Sequence, residues 1–264
     1  MNTLEALILG LVQGLTEFLP VSSSGHIELG KALLKIQTTD NLLYSIVVHA
    51  ATALSTIIVF RKTIIDLLRG LLRFRNNDAL QYSIKIVVSM IPVGVVGVLF
   101  EDDLEALFTG NVLLVGLMLL LTGLLLMFTY FAKKTIKDVS LPRAFVIGLA
   151  QAVAILPGVS RSGATISTAL MLGVDKGKAT QFSFLMVLLP ILGATLLKLK
   201  DYLQTPATGG EISGISLFVG FMAAFGSGLF ACSWMIKIVK HGKLIYFAYY
   251  CFLVGFIAVI ISFA

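Results

Sequence analysis

The segment Gln13-Gly-Leu-Thr-Glu17-Phe-Leu-Pro-Val-Ser22-Ser23-Ser24-Gly25-His26 gathers a carboxamide, a carboxylate, three consecutive hydroxyls and an imidazole. Gln13 and Glu17 are four residues apart, so on a helix they share one face. Together they offer a divalent cation two oxygens and leave the rest of its shell to water and substrate, which is the habit of Mg²⁺. Glu17 alternatively orients a base or acts as one. Ser22, Ser23, Ser24 and Gly25 follow a break at Pro20. Hydroxyls beside the free N–H groups of a starting helix form an anion cradle. His26 comes three residues after Ser23, and a hydroxyl beside an imidazole is the minimal nucleophile–base pair.

A second stretch repeats the design with different chemistry: Gln151-Ala-Val-Ala-Ile-Leu-Pro-Gly-Val-Ser160-Arg161-Ser162-Gly163-Ala-Thr165. Arg161 flanked by Ser160, Ser162, Gly163 and Thr165 reads as a phosphate clamp, because a guanidinium fork matches phosphate geometry. Such a cation also stabilises the charge that develops in phosphoryl transfer. Shifting residues 6–25 by 138 positions without a gap gives eight identities in twenty positions. Ala6, Gly10, Leu11, Gln13, Val21, Ser22, Ser24 and Gly25 fall on Ala144, Gly148, Leu149, Gln151, Val159, Ser160, Ser162 and Gly163. The copies have diverged where chemistry is done: Arg161 matches Ser23, Ala164 matches His26 and Ile155 matches Glu17.

These polar groups are set in a very apolar chain. Of 264 residues, 58% are hydrophobic and only 13% charged, against about 25% charged in a soluble domain. The chain therefore reads as an all-α integral membrane protein forming one polytopic domain, and a polar group inside such a segment marks a functional site. The net charge of +6 is spread between hydrophobic spans with no basic stripe, so nucleic acid is not an expected partner. Cys232 and Cys251 lie in apolar spans without metal-ligand spacing. The N-terminus has no positive n-region, and Glu5 is its first charge, so a cleaved signal peptide is not expected.

Six stretches are long enough for a ~30 Å hydrocarbon layer: Leu42–Phe60, Tyr82–Phe100, Val112–Phe131, Thr180–Leu197, Ile215–Ile236 and Leu244–Phe263. Thr3–Leu34 and Leu141–Gly173 are each broken near the middle by Pro, Gly and Ser, leaving halves too short to span. They read as two re-entrant helical hairpins rather than kinked spans. Basic residues mark cytoplasmic loops: Arg61, Lys62, Arg69, Arg73 and Arg75 after the first span, then Lys133, Lys134, Lys137 and Arg143, then Lys176 and Lys178, then Lys237, Lys240 and Lys243. The intervening loop with Glu101, Asp102, Asp103 and Glu105 faces outward; Lys198 and Lys200 are the exception to the pattern. Each half, about 1–135 and 136–264, is then one hairpin and three spans. An odd number of crossings inverts the second half, so the layout is an inverted-topology repeat whose broken helices meet near the midplane.

Among the remaining polar residues, His49 reads as an interhelical hydrogen-bonding group. Pro92 and Pro190 read as kinks inside spans. Tyr202, Trp234, Tyr246, Tyr249 and Tyr250 read as interfacial anchors.

The two motifs, Gln13 through His26 and Pro157 through Thr165, resemble those of the undecaprenyl-diphosphate phosphatase family, the integral-membrane type associated with bacitracin resistance. The resemblance covers essentially the whole chain. It implies hydrolysis of undecaprenyl diphosphate to the monophosphate and inorganic phosphate in the bacterial cell (inner) membrane, recycling the lipid carrier for peptidoglycan precursors. The family's acidic motif is a Glu or Gln separated by three residues from a Glu, which Gln13 and Glu17 match. Its Ser, His and Arg positions fall on Ser23, His26 and Arg161. Gln13 stands where many members carry a carboxylate, leaving less charge for a metal. The resemblance also implies a divalent cation, Mg²⁺ or alternatively Ca²⁺, for which the spacing offers Glu17 and Gln13 as ligands.

The expected partners are thus a polyprenyl diphosphate lipid and the bilayer, with a homodimer left open. Glu17, Ser23, His26 and Arg161 are the expected catalytic residues. Gln13, Ser22, Ser24, Gly25, Ser160, Ser162, Gly163 and Thr165 are expected to bind substrate. Whether Ser23 or water attacks stays open. The rival reading is a transporter or lipid flippase that holds a phosphorylated cargo without cleaving it, since inverted repeats with broken helices also build transporters.

Overall fold

A computed structural model of the chain describes residues 1–34, 42–73, 75–100, 107, 111–132, 136–204 and 212–263. The acidic loop at Glu101, Asp102, Asp103 and Glu105 and the lysines Lys133 and Lys134 lie outside the described residues.

The described residues form eleven α-helices and no strands. They are α1 (Thr3–Phe18), α2 (Ser23–Leu34), α3 (Leu42–Val59), α4 (Arg61–Leu71), α5 (Asp78–Leu99), α6 (Val112–Phe128), α7 (Leu141–Val153), α8 (Arg161–Met171), α9 (Lys176–Gln204), α10 (Gly214–His241) and α11 (Ile245–Ile261). Asn2, Asn77, Asn111 and Ser213 cap α1, α5, α6 and α10 by accepting a first-turn N–H, as short polar side chains do at helix starts. Gly242, with φ of +72°, ends α10 in the left-handed conformation.

By length and composition, α5, α9, α10 and α6 with its terminal turn are membrane-spanning candidates. A fifth is counted when α3 and α4 are taken as one bent span, the two helices meeting at 77°. The expected span Leu244–Phe263 forms the 17-residue helix α11, shorter than these. Residues 61–71, expected as a basic loop, instead form α4. The reason is amphipathicity: Ile64 and Leu67 pack on the main core while Arg61, Lys62 and Arg69 point outward, which suits a helix lying in a membrane interface.

Both broken regions fold back on themselves. In the first, Leu9 of α1 lies beside Gly30 of α2. The hydroxyl of Tyr44, just past the hairpin, donates to the Ala6 carbonyl at 2.5 Å. In the second, Lys137 and Val174 form an isolated bridge, the Asp175 N–H donates to the Lys137 carbonyl at 3.0 Å, and Lys178 pairs with Asp138. A straight span would carry these ends apart by its full length. Here each excursion returns to its start.

The halves interlock through their first helices. α1 packs along α10 of the second half, and α7, its counterpart, packs along α5 of the first. Small residues permit the approach: Gly10 lies on Gly220 and Ala223, Gly14 on Ala224 and Ser227, and Gly148 on the Ser89 backbone. α6 packs on α11 across the centre, with Gly116 and Gly255 backbone to backbone. Pro92 and Pro190 lie inside α5 and α9.

Candidate active site

The two breaks meet. The Ser162 hydroxyl donates to the Leu19 carbonyl at 3.2 Å. A Cβ on Gly25 would lie 3.1 Å from Gly158 Cα, and one on Gly163 would lie 3.4 Å from Pro20 Cβ. Gly25 thus faces the backbone of the opposite break, and Gly163 faces the side chains of Ser160 and Pro20. Cys251 of α11 packs its thiol on the Pro20 carbonyl, and Thr122 of α6 braces the other break. Its hydroxyl accepts from the Ser160 N–H at 2.9 Å and lies 3.3 Å from the Gly158 carbonyl.

The repeat is reproduced bond for bond at the helix starts. Ser22 Oγ accepts from the Gly25 N–H at 3.2 Å, and Ser160 Oγ from the Gly163 N–H at 3.1 Å. Ser22 and Ser24 hydroxyls are 3.4 Å apart; those of Ser160 and Ser162 are 3.3 Å apart. The N–H groups of Arg161 and Ser162 have no place in the helical ladder, so they remain as donors at the junction. The copies differ in backbone at the capping serines. Ser22 has φ of +71°, a conformation rare for a residue other than glycine or asparagine, whereas Ser160 is extended at −77°. Strain of this kind costs about 1–3 kcal/mol and clusters at functional sites.

Glu17 is the hub. Its Oε2 accepts from Gln13 Nε2 at 3.0 Å and from the Ser23 hydroxyl at 2.7 Å. Its Oε1 lies 3.7 Å from Arg161 of the opposite hairpin. The residue types expected from the two motifs are therefore brought together, but one pairing differs from expectation. Ser23 is bonded to Glu17 and not to His26. The physical reason is rotation about the first turn of α2: the Ser23 side chain turns back over the break to α1, while the His26 ring turns to the Ser22 carbonyl, with Nδ1 at 2.8 Å. The other ring nitrogen, Nε2, lies 2.7 Å from the Tyr250 hydroxyl, and the two rings stack at 5.6 Å and 12°.

A recess of about 20 Å³, room for about one water, opens at the junction. Glu17 and Phe18 of α1, with Thr52 and Thr56 of α3, form one wall. Arg161, Ser162 and Thr165 of α8 form a second. Ser183, Phe184, Val187 and Ile191 of α9 complete it. Phe18 and Phe184 meet edge to face at 5.6 Å. Thr165 donates to the Arg161 carbonyl at 2.9 Å, tying down the turn that carries the guanidinium.

Residues 6–257 match the family described as bacitracin resistance protein BacA. The chain belongs to that family. It is 55% identical over 263 residues to a protein of Bacteroides fragilis named undecaprenyl-diphosphatase, covering 99% of each chain. It is likewise 55% identical to one of Bacteroides thetaiotaomicron, again over 99% of each, and 53% identical to one of Christiangramia forsetii over the whole of both chains.

In this member of the BacA family, the fit to a divalent cation rests on Gln13. Its Nε2 faces Glu17, which leaves Oε1 fully buried with no partner. An orphaned carbonyl oxygen beside a carboxylate is a site for a donor or a hard cation. Among the described residues no group of three or more His, Cys, Asp or Glu side chains could hold an ion. The donor set thus suits an ion that keeps most of its shell in water and phosphate oxygens. Gln151, the counterpart of Gln13, is 1% exposed and neither amide atom has a partner. Ile155 stands where a second carboxylate would answer it.

Sequence reasoning missed Tyr250, Thr122 and Ser183. Tyr250 reads as an interfacial anchor and is 41% exposed, yet its hydroxyl and ring meet His26, 224 positions away. Thr122 could have been suspected as a lone hydroxyl in the run Leu117–Leu126. His49 bonds within its own helix, Nδ1 to the Ser45 carbonyl at 2.8 Å, rather than across helices as expected. It lies close enough to Glu17 and Arg161 to feel both charges.

Proposed function

We propose that this chain hydrolyses undecaprenyl diphosphate to undecaprenyl phosphate and inorganic phosphate, returning the lipid carrier to cell-wall synthesis. The observation that carries the reading is the meeting of Glu17 and Ser23 with Arg161 where the two broken helices touch, in a chain of the BacA family. Arg161 and the first-turn N–H groups of α8 hold the diphosphate oxygens and balance their charge. Glu17 receives a proton from the attacking hydroxyl as the new P–O bond forms and the bridging P–O bond breaks, undecaprenyl phosphate leaving with that bond's electron pair. A water attacking directly yields inorganic phosphate in this step; where Ser23 attacks, a water then hydrolyses the phosphoserine, restoring the Ser23 hydroxyl and releasing inorganic phosphate. His26, held between Ser22 and Tyr250, handles a proton on the leaving side. A bound divalent cation, Mg²⁺ or alternatively Ca²⁺, would be held by Glu17 and Gln13 and would supply Lewis-acid polarisation of the phosphoryl oxygens.

The proposed layout is six membrane crossings, with α11 and the bent α3 among them, and two re-entrant hairpins entering from opposite faces of the bacterial inner membrane. Ser22, Ser24, Gly25, Ser160, Ser162, Gly163 and Thr165 shape the cradle at their tips. The side on which the site opens is taken as the outer face, because Glu17 and His26 belong to the hairpin assigned outward. The prenyl tail lies along apolar grooves open to lipid. The deciding experiment is phosphate release from undecaprenyl diphosphate by the purified protein in detergent, with and without Mg²⁺, beside Arg161→Ala. Metal-dependent release that is lost in the variant supports the enzyme. Binding of the lipid with no release favours the transporter.

A further inference from the structure

Most of the hydroxyls buried in the described helices bond back to their own helix. Ser55, Thr56 and Thr180 each donate to the carbonyl four residues earlier, at 3.0, 3.2 and 2.8 Å. This is the ordinary way for a mid-helix hydroxyl to be satisfied. Ser183 breaks the habit. It lies in the middle of α9 between two buried phenylalanines, is 2% exposed, and its Oγ has no partner. It also lines the recess that holds Glu17 and Arg161. A buried hydroxyl left unpaired costs free energy, and one that also lines a polar recess is placed to be completed by whatever binds there.

We propose that Ser183 is a further substrate-binding residue, donating its hydroxyl hydrogen to a non-bridging phosphate oxygen in the recess. This rests on the phosphatase reading and adds a third wall to the site, since α9 belongs to neither hairpin. One phosphate oxygen then occupies the recess, held by Arg161 from one side and by Ser183 from the other, with Glu17 facing it. Ser167 is the internal comparison. It too is buried with a partnerless hydroxyl, but it does not line the recess.

The test uses the full chain in detergent with undecaprenyl diphosphate as substrate and inorganic phosphate as a competing ligand. Ser183→Ala is expected to lower kcat/KM by about tenfold to a hundredfold, the range for losing a hydrogen bond to a charged group. It should also weaken inhibition by inorganic phosphate by a similar factor, with Tm unchanged or raised. Ser183→Cys keeps the volume and offers only a weak donor, so it should fall with the alanine variant even if that one is poorly folded. Ser167→Ala should turn over like wild type. Wild-type kcat/KM and phosphate inhibition in either folded Ser183 variant overturn the proposal. Absence of phosphate release from the wild-type protein instead overturns the phosphatase reading beneath it.

Discussion

The Nε2 atom of His26 lies 2.7 Å from the Tyr250 hydroxyl, while Nδ1 of the same ring lies 2.8 Å from the Ser22 carbonyl. A backbone carbonyl only accepts, so Nδ1 carries the proton. In the neutral ring Nε2 then accepts, and Tyr250 donates. Two residues from opposite ends of the chain thereby set which nitrogen is basic.

Tyr250→Phe removes this donor and keeps the stacked ring. Turnover of undecaprenyl diphosphate should fall by roughly tenfold to a hundredfold, as when other orienting partners are lost. KM should be little changed, and the pH profile should move because Nε2 is no longer engaged. His26→Ala should cost at least roughly a hundredfold. A wild-type pH–rate profile in Tyr250→Phe would return Tyr250 to the role of a membrane anchor.

Glu17→Gln keeps the size of the hub but removes its charge, its bond-accepting Oε2 and the attraction to Arg161. Phosphate release should drop by roughly 10²-fold or more, with the protein still folded by thermal melt. Arg161→Lys retains a cation and loses the planar fork. Its loss should be roughly 10²–10³-fold, comparable to removing a transition-state donor elsewhere. Steady-state kinetics on each variant measure both effects.

Gly158 and Gly25 separate stability from alignment. Gly158 has φ of +97°, and a Cβ there would lie 2.6 Å from the Val115 carbonyl oxygen and 2.8 Å from Met118 Cβ. Gly158→Ala should cost about 1–3 kcal/mol or more through overpacking and backbone strain, read as a lower Tm. In Gly25→Ala the clash is milder and falls between the two breaks. Its signature should be reduced kcat with a smaller change in Tm.

Gln151→Leu replaces a buried carboxamide that has no partner by an apolar side chain of similar size. Stability should rise by about 1 kcal/mol or more, with turnover unchanged. A loss of activity would show that Gln151 serves the site through a contact absent from the protein alone.

The sequence by itself determined what is local or repeated. Hydropathy, the Pro/Gly/Ser breaks and the 138-residue offset located both broken regions and the residues at their breaks. Those signals arise from backbone preferences, capping chemistry and the cost of polar groups in lipid, all readable within a few residues. Arg161 and Glu17 could be named as functional residues because each is expensive where it lies. Only the tertiary structure decided who pairs with whom. Ser23 turned to Glu17 and away from His26, because the rotamer of a first-turn side chain follows from what lies across the break. Tyr250, Thr122 and Ser183 entered the site from helices that lie outside both motifs. Residues 61–71 became a helix because an apolar face found the core, which a count of their charges does not reveal. Contacts across 100 or more residues depend on how helices are packed against one another, and no local pattern carries that information.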